Sequence, residues 1–236
     1  MRTARFRNFS KLTIDSHHAD VLVIGGGHAG CEAAHASART GAQTVLVTQK
    51  TSTIGEMSCN PSIGGVGKGT LVREVDALGG LMGKIADEAG IHFKVLNRSK
   101  GPAVQGPRAQ MDRDQYKANM LHELTHNTPN LSIHKGSVED FIVEGDQVKG
   151  ILLQNGEELR ARKVVLTTGT FLRGSVHIGS ESRPAGRYRR NGIDVEPSAT
   201  TLAKRLKHHE FPIGRLRTGT PPRLAFDSID FSVLEK

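Results

Sequence analysis

The run Asp20–Arg39 constrains this chain more than any other stretch. Asp20-Val-Leu-Val-Ile24 is apolar and strand-forming, Gly25-Gly-Gly-His-Ala-Gly30 follows directly, and an alanine-rich segment continues to Arg39. These parts read as a buried parallel strand, a tight turn and a helix. Gly41 ends the helix and Thr44–Thr48 supplies the next strand, which completes a βαβ unit. Glycines 25, 27 and 30 have the Gly-x-Gly-x-x-Gly spacing in the strand-to-helix context it requires. Gly25 permits the turn, Gly27 lets a pyrophosphate approach the backbone, and Gly30 lets helix and strand pack closely. With Gly26, His28 and Ala29 they form the expected dinucleotide site, where phosphates accept from N–H groups at the helix start. The acid that commonly ends the second strand is missing: Thr48-Gln49-Lys50 stands there and Glu56 comes later.

This unit predicts an α/β chain with a Rossmann-like fold, a parallel central sheet and an inserted β-rich segment. Residues 20–236 are read as one partial dinucleotide-binding domain. Its β-rich part near 130–162 contains short strands at Leu131–His134, Val138–Val143, Val148–Gln154 and Glu158–Ala161, with turns at Gly145-Asp146 and Asn155-Gly156. Lys163–Thr168 is a separate apolar run that returns to the central sheet, so that Thr168, Gly169 and Thr170 pass beside the dinucleotide. Helices are expected over Thr70–Ala89, interrupted or bent around Gly79-Gly80 and Gly83, over Asp112–Asn127 and over Ser198–His209. Ser58–Gly69, Asn97–Arg108 and Gly214–Leu224 read as glycine- and proline-bearing loops.

The 236 residues suffice for one good core. No run of about 18 apolar residues occurs, so no membrane span is expected. Cys31 and Cys59 stand far apart and do not resemble a secreted disulfide framework, which favours a reducing compartment. Cys31 falls in the first helix and reads as packing. Cys59, before a glycine-rich stretch, is either an incidental cysteine or a nucleophile. Gly64-Gly-Val-Gly-Lys-Gly-Thr70 lacks the Ser or Thr that a phosphate loop places directly after its lysine, which excludes a nucleotide triphosphatase on this motif. The adjacent pairs His17, His18 and His208, His209 do not make a zinc constellation, and no metal site is expected. Asp112-Arg113-Asp114 offers either a catalytic carboxylate or a helix cap.

The net charge of +8 is unevenly spread. Between Arg173 and Arg223 eleven Lys or Arg face four acids, a basic region that fits either a polyanionic partner or a solvated face. Residues 1–19 form a basic extension, with Arg2, Arg5, Arg7 and Lys11 before the first acid at Asp15, compatible with a mitochondrial transit segment. No pattern closes the fold before Glu235-Lys236, so a longer protein is expected.

The assembled motifs resemble the MnmG/GidA/MTO1 family of tRNA wobble-uridine modification enzymes. The resemblance spans about Asp20–Leu234. It rests on Gly25–Ala34, Met57-Ser-Cys-Asn-Pro61, Gly64–Gly69, Arg73–Leu78, Leu96-Asn97, Lys100–Val104, Thr168-Gly-Thr-Phe-Leu172 and Gly214–Arg223. It implies an FAD enzyme that, with an MnmE-like GTPase, adds an aminomethyl-type group to C5 of uridine 34. NADH would be the reductant and methylene-tetrahydrofolate the one-carbon donor. The products would be carboxymethylaminomethyl- or taurinomethyl-uridine, and the whole enzyme a homodimer. The resemblance also implies a functional role for Cys59, a second functional cysteine and a GTPase-contact region beyond Lys236, and a mitochondrial or, for a bacterial chain, cytoplasmic location. Arg173, Arg183, Arg187, Arg189 and Arg190 are candidate tRNA contacts; Arg215, Arg217 and Arg223 could serve RNA, flavin phosphates or folate carboxylates. The alternatives are an FAD- and folate-dependent tRNA uridine-54 methyltransferase and a noncatalytic FAD-binding interaction module.

Overall fold

A computed structural model describes residues 18–188, 195–217, 219 and 224–233. The basic extension before residue 18, Arg189, Arg190 and Arg223 lie outside the described residues. The chain opens with β1 (His18–Ile24), α1 (His28–Arg39) and β2 (Thr44–Thr48), the expected βαβ unit. It continues through β3 (Ser62–Gly64), α2 (Lys68–Ala77), α3 (Leu81–Ala89), β4 (Gly90–Leu96), β5 (Gly106–Met111) and α4 (Arg113–His126). Strands β6 (Leu131–Lys135), β7 (Val138–Glu144), β8 (Gln147–Leu153) and β9 (Glu158–Leu166) follow. The last described strands and α-helix are β10 (Ser175–Ile178), β11 (Glu181–Pro184), β12 (Arg187–Tyr188), β13 (Val195–Glu196) and α5 (Thr200–His208).

Six strands form the central sheet in the order β6-β2-β1-β9-β8-β7. The first four run parallel, and β8 and β7 extend the sheet as an antiparallel meander. Successive side chains of a strand point to opposite faces, and both faces are covered here. Val23 and Leu46 pack with Cys31 and Ala34 of α1, Ile85 of α3, and Tyr116 and Met120 of α4. Leu22, Ile24, Val45 and Val47 pack on the other side with Ile151, Leu159 and Leu202. A strand buried on both faces has no polar alternation, which is why β1 and β2 read as unbroken apolar runs. The fold is therefore the expected Rossmann-like α/β architecture.

Several boundaries differ from the sequence reading. The segment Thr70–Ala89 is interrupted at Gly79-Gly80, where α2 has stopped at Ala77 and Gly79 turns at φ +77°, whereas Gly83 lies inside α3 and makes no break. Arg39 holds the break by donating to the carbonyls of Leu78 and Gly79. The N-terminus of α3 is capped from α1, since the Glu32 carboxylate accepts from the Leu81 N–H at 3.0 Å, an arrangement worth about 1 kcal/mol. The stretch Asn97–Arg108 is only partly loop, because β3, β5 and β4 form a three-stranded antiparallel sheet. Ser58–Gly69 likewise contains β3 and the start of α2. Glu158–Ala161 and Lys163–Thr168 join as the single strand β9, which pairs antiparallel with β8 at its start and parallel with β1 along its length. Asp112 is a helix cap: its carboxylate accepts from the N–H groups of Asp114 at 2.9 Å and Gln115 at 3.0 Å. Among the described residues no helix is long and apolar enough to cross a membrane.

Candidate dinucleotide site and cysteine loop

The carboxyl ends of β1, β2 and β9 open into a cavity of about 900 Å³. Gly25, Gly26, Gly27 and His28 form one wall, and Thr168, Gly169, Thr170 and Phe171 another. The remaining walls include Thr48, Gln49 and Lys50 after β2, Glu56 and Ser58, Lys135–Val138, Gln154 and Asn155, and Glu196, Pro197 and Leu202. Ligands of open α/β sheets bind at this position, outside the carboxyl ends of the parallel strands.

The three glycines of the turn do different work. Gly25 adopts φ +111°, and a Cβ there would stand 2.6 Å from the Thr167 carbonyl oxygen. At Gly30 a Cβ would stand 1.7 Å from the Gly25 carbonyl oxygen, so this residue serves the packing of α1 onto the turn. A Cβ on Gly27 would meet nothing within 4 Å, and its side faces the cavity. Gly27 is the N-cap of α1 with no side-chain cap bond, so the first N–H groups of the helix are available to an anion. The cradle thus fits the pyrophosphate of a dinucleotide. Ala29 is exposed on the first turn of α1 and Gly30 is buried beneath it; neither lines the cavity.

His28 occupies the first helical position, its ring edge-on to Tyr116 with 5.9 Å between centroids. Its Nδ1 and the Tyr116 hydroxyl are buried without hydrogen-bond partners among the described residues. Burial first, and then the charges of Lys68 and Arg187, lower the His28 pKa to about 4. The ring is therefore neutral at pH 7, with one nitrogen accepting and one donating. In the unfolded chain it titrates near 6.5, so the unfolded state takes up a proton first as pH falls. The stability that this neutral ring supplies is present above the unfolded value and is lost as pH falls from 6.5 towards 4. Between about pH 7.5 and 5 the wild-type chain should lose roughly 1–2 kcal/mol more unfolding free energy than a His28→Gln variant. Urea denaturation across that range measures the difference; parallel stability curves would refute this account of His28.

Cys59 is exposed and reduced, on a loop whose flanking residue Ser58 lines the cavity. The loop is held at three points. Arg113 donates to the Met57 carbonyl at 2.8 Å, Arg187 Nε donates to Ser58 Oγ at 3.0 Å, and the Lys68 ammonium donates to the Ser62 carbonyl at 3.0 Å. Cys31 is buried, its Sγ donates to the Gly26 carbonyl at 3.5 Å, and burial pushes its pKa up to about 12. It packs under the glycine turn, as its place in α1 implied.

The candidate RNA-contact arginines fall in different surroundings. Arg173 and Arg183 are exposed, Arg183 pairing with Glu181 at 2.7 Å. Arg187 is largely covered and faces the cavity. Arg215 donates to the carbonyls of Leu172 and Arg173, which ties the segment after α5 to the turn after β9. Among the described residues no group of His, Cys, Asp and Glu could hold a metal ion. Glu56 lines the cavity although it lies beyond the end of β2, and its carboxylate pairs with Lys117 at 3.1 Å. The walls at Lys135–Val138 and Gln154-Asn155 carry no local motif and are brought in by the sheet order, while Glu196, Pro197, Ala199 and Leu202 come from β13 through the start of α5.

Comparison with known proteins places this site in a family. The model of the family described as glucose inhibited division protein A matches residues 20–236. The chain is 60% identical over 213 residues to the tRNA uridine 5-carboxymethylaminomethyl modification enzyme MnmG of Granulibacter bethesdensis, covering 89% of this chain and 33% of that protein. It is 54% identical over 227 residues to the mitochondrial 5-taurinomethyluridine-[tRNA] synthase subunit MTO1 of Macaca fascicularis, covering 93% and 32%. The chain thus spans about a third of the length of these relatives. The crystal structure of Aquifex aeolicus GidA superposes with a TM-score of 0.84 at 49% identity, over 93% of this chain and 35% of that one. The GidA-related protein of Thermus thermophilus, at 21% identity and a TM-score of 0.57, shares the fold. By its glycine cradle, its cysteine loop and a family match that runs from Asp20 to Lys236, the chain belongs to the glucose inhibited division protein A family.

Proposed function

We propose that this chain supplies the FAD cavity and a nucleophilic cysteine of an enzyme that modifies C5 of the wobble uridine of tRNA. The observation that carries this reading is that Gly25–His28 of the cradle and Ser58, the residue before Cys59, line one cavity. Family membership and the printed activities of the bacterial and mitochondrial relatives support it.

In this reading the α1 N-terminus and Gly27 hold the FAD pyrophosphate, while Thr168, Gly169 and Thr170 flank the dinucleotide. FAD supplies two-electron redox chemistry, with NADH as reductant. The chain's own contribution is at Cys59. C5 of uracil is a poor nucleophile until sulfur adds at C6. When the Cys59 thiolate forms the S–C6 bond, the C5–C6 π pair moves to C5, which then bonds the methylene carbon of a methylene-tetrahydrofolate donor as one of that carbon's C–N bonds breaks and its pair returns to the folate nitrogen. Loss of the C5 proton leaves the C5–H pair to form the new C5–C6 double bond as the S–C6 pair leaves with sulfur. The basic region 173–223, with Arg173 and Arg183 exposed and Arg189 and Arg190 beside them in sequence, attracts the tRNA backbone. An MnmE-like GTPase and a second copy of the whole enzyme complete the reading, in the mitochondrion or, for a bacterial chain, the cytoplasm.

Nucleoside mass spectrometry of tRNA treated with the whole enzyme, the GTPase and the cofactors tests this directly. A substituted C5 on uridine 34, dependent on the GTPase, is the expected product. Methylation at uridine 54, or FAD binding with no product, would overturn it.

A further inference from the structure

Arg187 is built into the site rather than presented to solvent. It opens β12, and its register partner on β13 is Glu196. Their charged ends are 3.4 Å apart, with only 11% and 15% of the two side chains exposed. The guanidinium carbon lies 5.4 Å from the centre of the Phe171 ring, and Nε donates to Ser58 Oγ at 3.0 Å. Gly186 makes this packing possible, because a Cβ there would stand 2.2 Å from the Phe171 ring. A guanidinium matched by a carboxylate, held over an aromatic face and bonded to a hydroxyl uses its planar fork on several partners at once.

All four of these residues, Ser58, Phe171, Arg187 and Glu196, line the cavity. On the far side of the loop, Arg113 and Lys68 hold Met57 and Ser62. The loop is thus fixed at its two ends and at Ser58, while Cys59 and Asn60 form an exposed crest. We propose that Arg187 is a positioning residue: through Ser58 Oγ it sets the place of Cys59 at the rim of the dinucleotide cavity. This assigns it a role distinct from that of an RNA-backbone contact, and it rests on the reading of Cys59 as the acting nucleophile.

Two measurements test it. In the whole enzyme, Arg187→Gln and Ser58→Ala should each lower kcat for uridine modification about fivefold or more with the tRNA KM unchanged, and the double variant should be no worse than the poorer single one. Arg187→Lys should behave as Arg187→Gln, because an ammonium cannot serve Ser58, Glu196 and Phe171 together. A raised tRNA KM at constant kcat, the signature of a phosphate contact, would overturn the proposal. The second measurement needs no turnover: alkylation of Cys59 by a bulky maleimide, followed by peptide mass spectrometry. Cys31, buried beneath the turn, serves as the silent reference. Release of the crest should raise the Cys59 rate about fivefold in Ser58→Ala and in Arg187→Gln, without further gain in the double variant. Rates within twofold of wild type, or additive effects, would overturn it. Should Arg187→Gln fail to fold, Ser58→Ala decides by itself, since it removes only an exposed hydroxyl. If Cys59→Ser retained full modification, the nucleophile reading would fall while the alkylation result still decided the role of Arg187.

Discussion

A Gly27→Val variant is expected to fold as stably as the wild type yet bind FAD at least about a hundredfold more weakly, whereas Gly30→Ala should lose roughly 3–5 kcal/mol of folding free energy. The contrast follows from what a side chain would meet. At Gly27 the backbone is extended, at φ −78° and ψ −174°, and a Cβ has open space around it. The space belongs to the cavity, so the variant's methyl groups would fill the volume that the pyrophosphate needs and block the first N–H groups of α1. At Gly30 the added carbon would lie 1.7 Å from the Gly25 carbonyl oxygen and 2.8 Å from Thr167 Oγ1. Neither neighbour can yield without moving the turn away from β9, because Thr167 Oγ1 also donates to the Ile24 carbonyl at 2.8 Å. Urea denaturation and a flavin-fluorescence titration separate the two effects. A Gly27→Val protein with FAD affinity within fivefold of wild type would defeat the close-approach argument; a stable Gly30→Ala protein would defeat the packing argument.

The same physics explains which features the sequence disclosed. β1, α1 and β2 were legible because a strand buried on both faces, a glycine turn and a closing glycine at φ +94° are all local signals. The Asn155-Gly156 turn was legible for the same reason. β4 and β5 were hidden: four consecutive β4 residues, Ile91 to Lys94, are exposed, so no alternation marks the strand, and glycines and prolines interrupt the stretch that joins it to β5. β9 was split in two because Arg160, Arg162 and Lys163 interrupt its apolar run, although β1 pairs with it from Arg160 to Leu166. Glu56 shows the limit most clearly. Its distance from the end of β2 gave no reason to place it in the site, yet the turn after β2 carries it to the cavity wall. Arg187 is comparable, since charge density alone grouped it with Arg173 and Arg183 and only the pairing of β12 with β13 separates it from them.

Cys59→Ser should abolish uridine modification, with a fall in kcat of about a thousandfold or more, while FAD affinity and folding stability stay close to wild type. The residue is exposed and its neighbours hold the loop through Met57, Ser58 and Ser62 rather than through its sulfur. Replacing sulfur by oxygen therefore leaves the loop anchored and the cavity walls in place. What changes is the nucleophile: a serine hydroxyl at neutral pH adds to C6 far more weakly than a thiolate does. Cys31→Ser provides the matched control. Its sulfur bonds the Gly26 carbonyl inside the core, so that substitution should act on stability rather than on the chemical step. Nucleoside mass spectrometry with single-turnover kinetics distinguishes the two variants. Full turnover in Cys59→Ser would move the chemistry away from the loop and leave the glycine cradle as the chain's contribution to the enzyme.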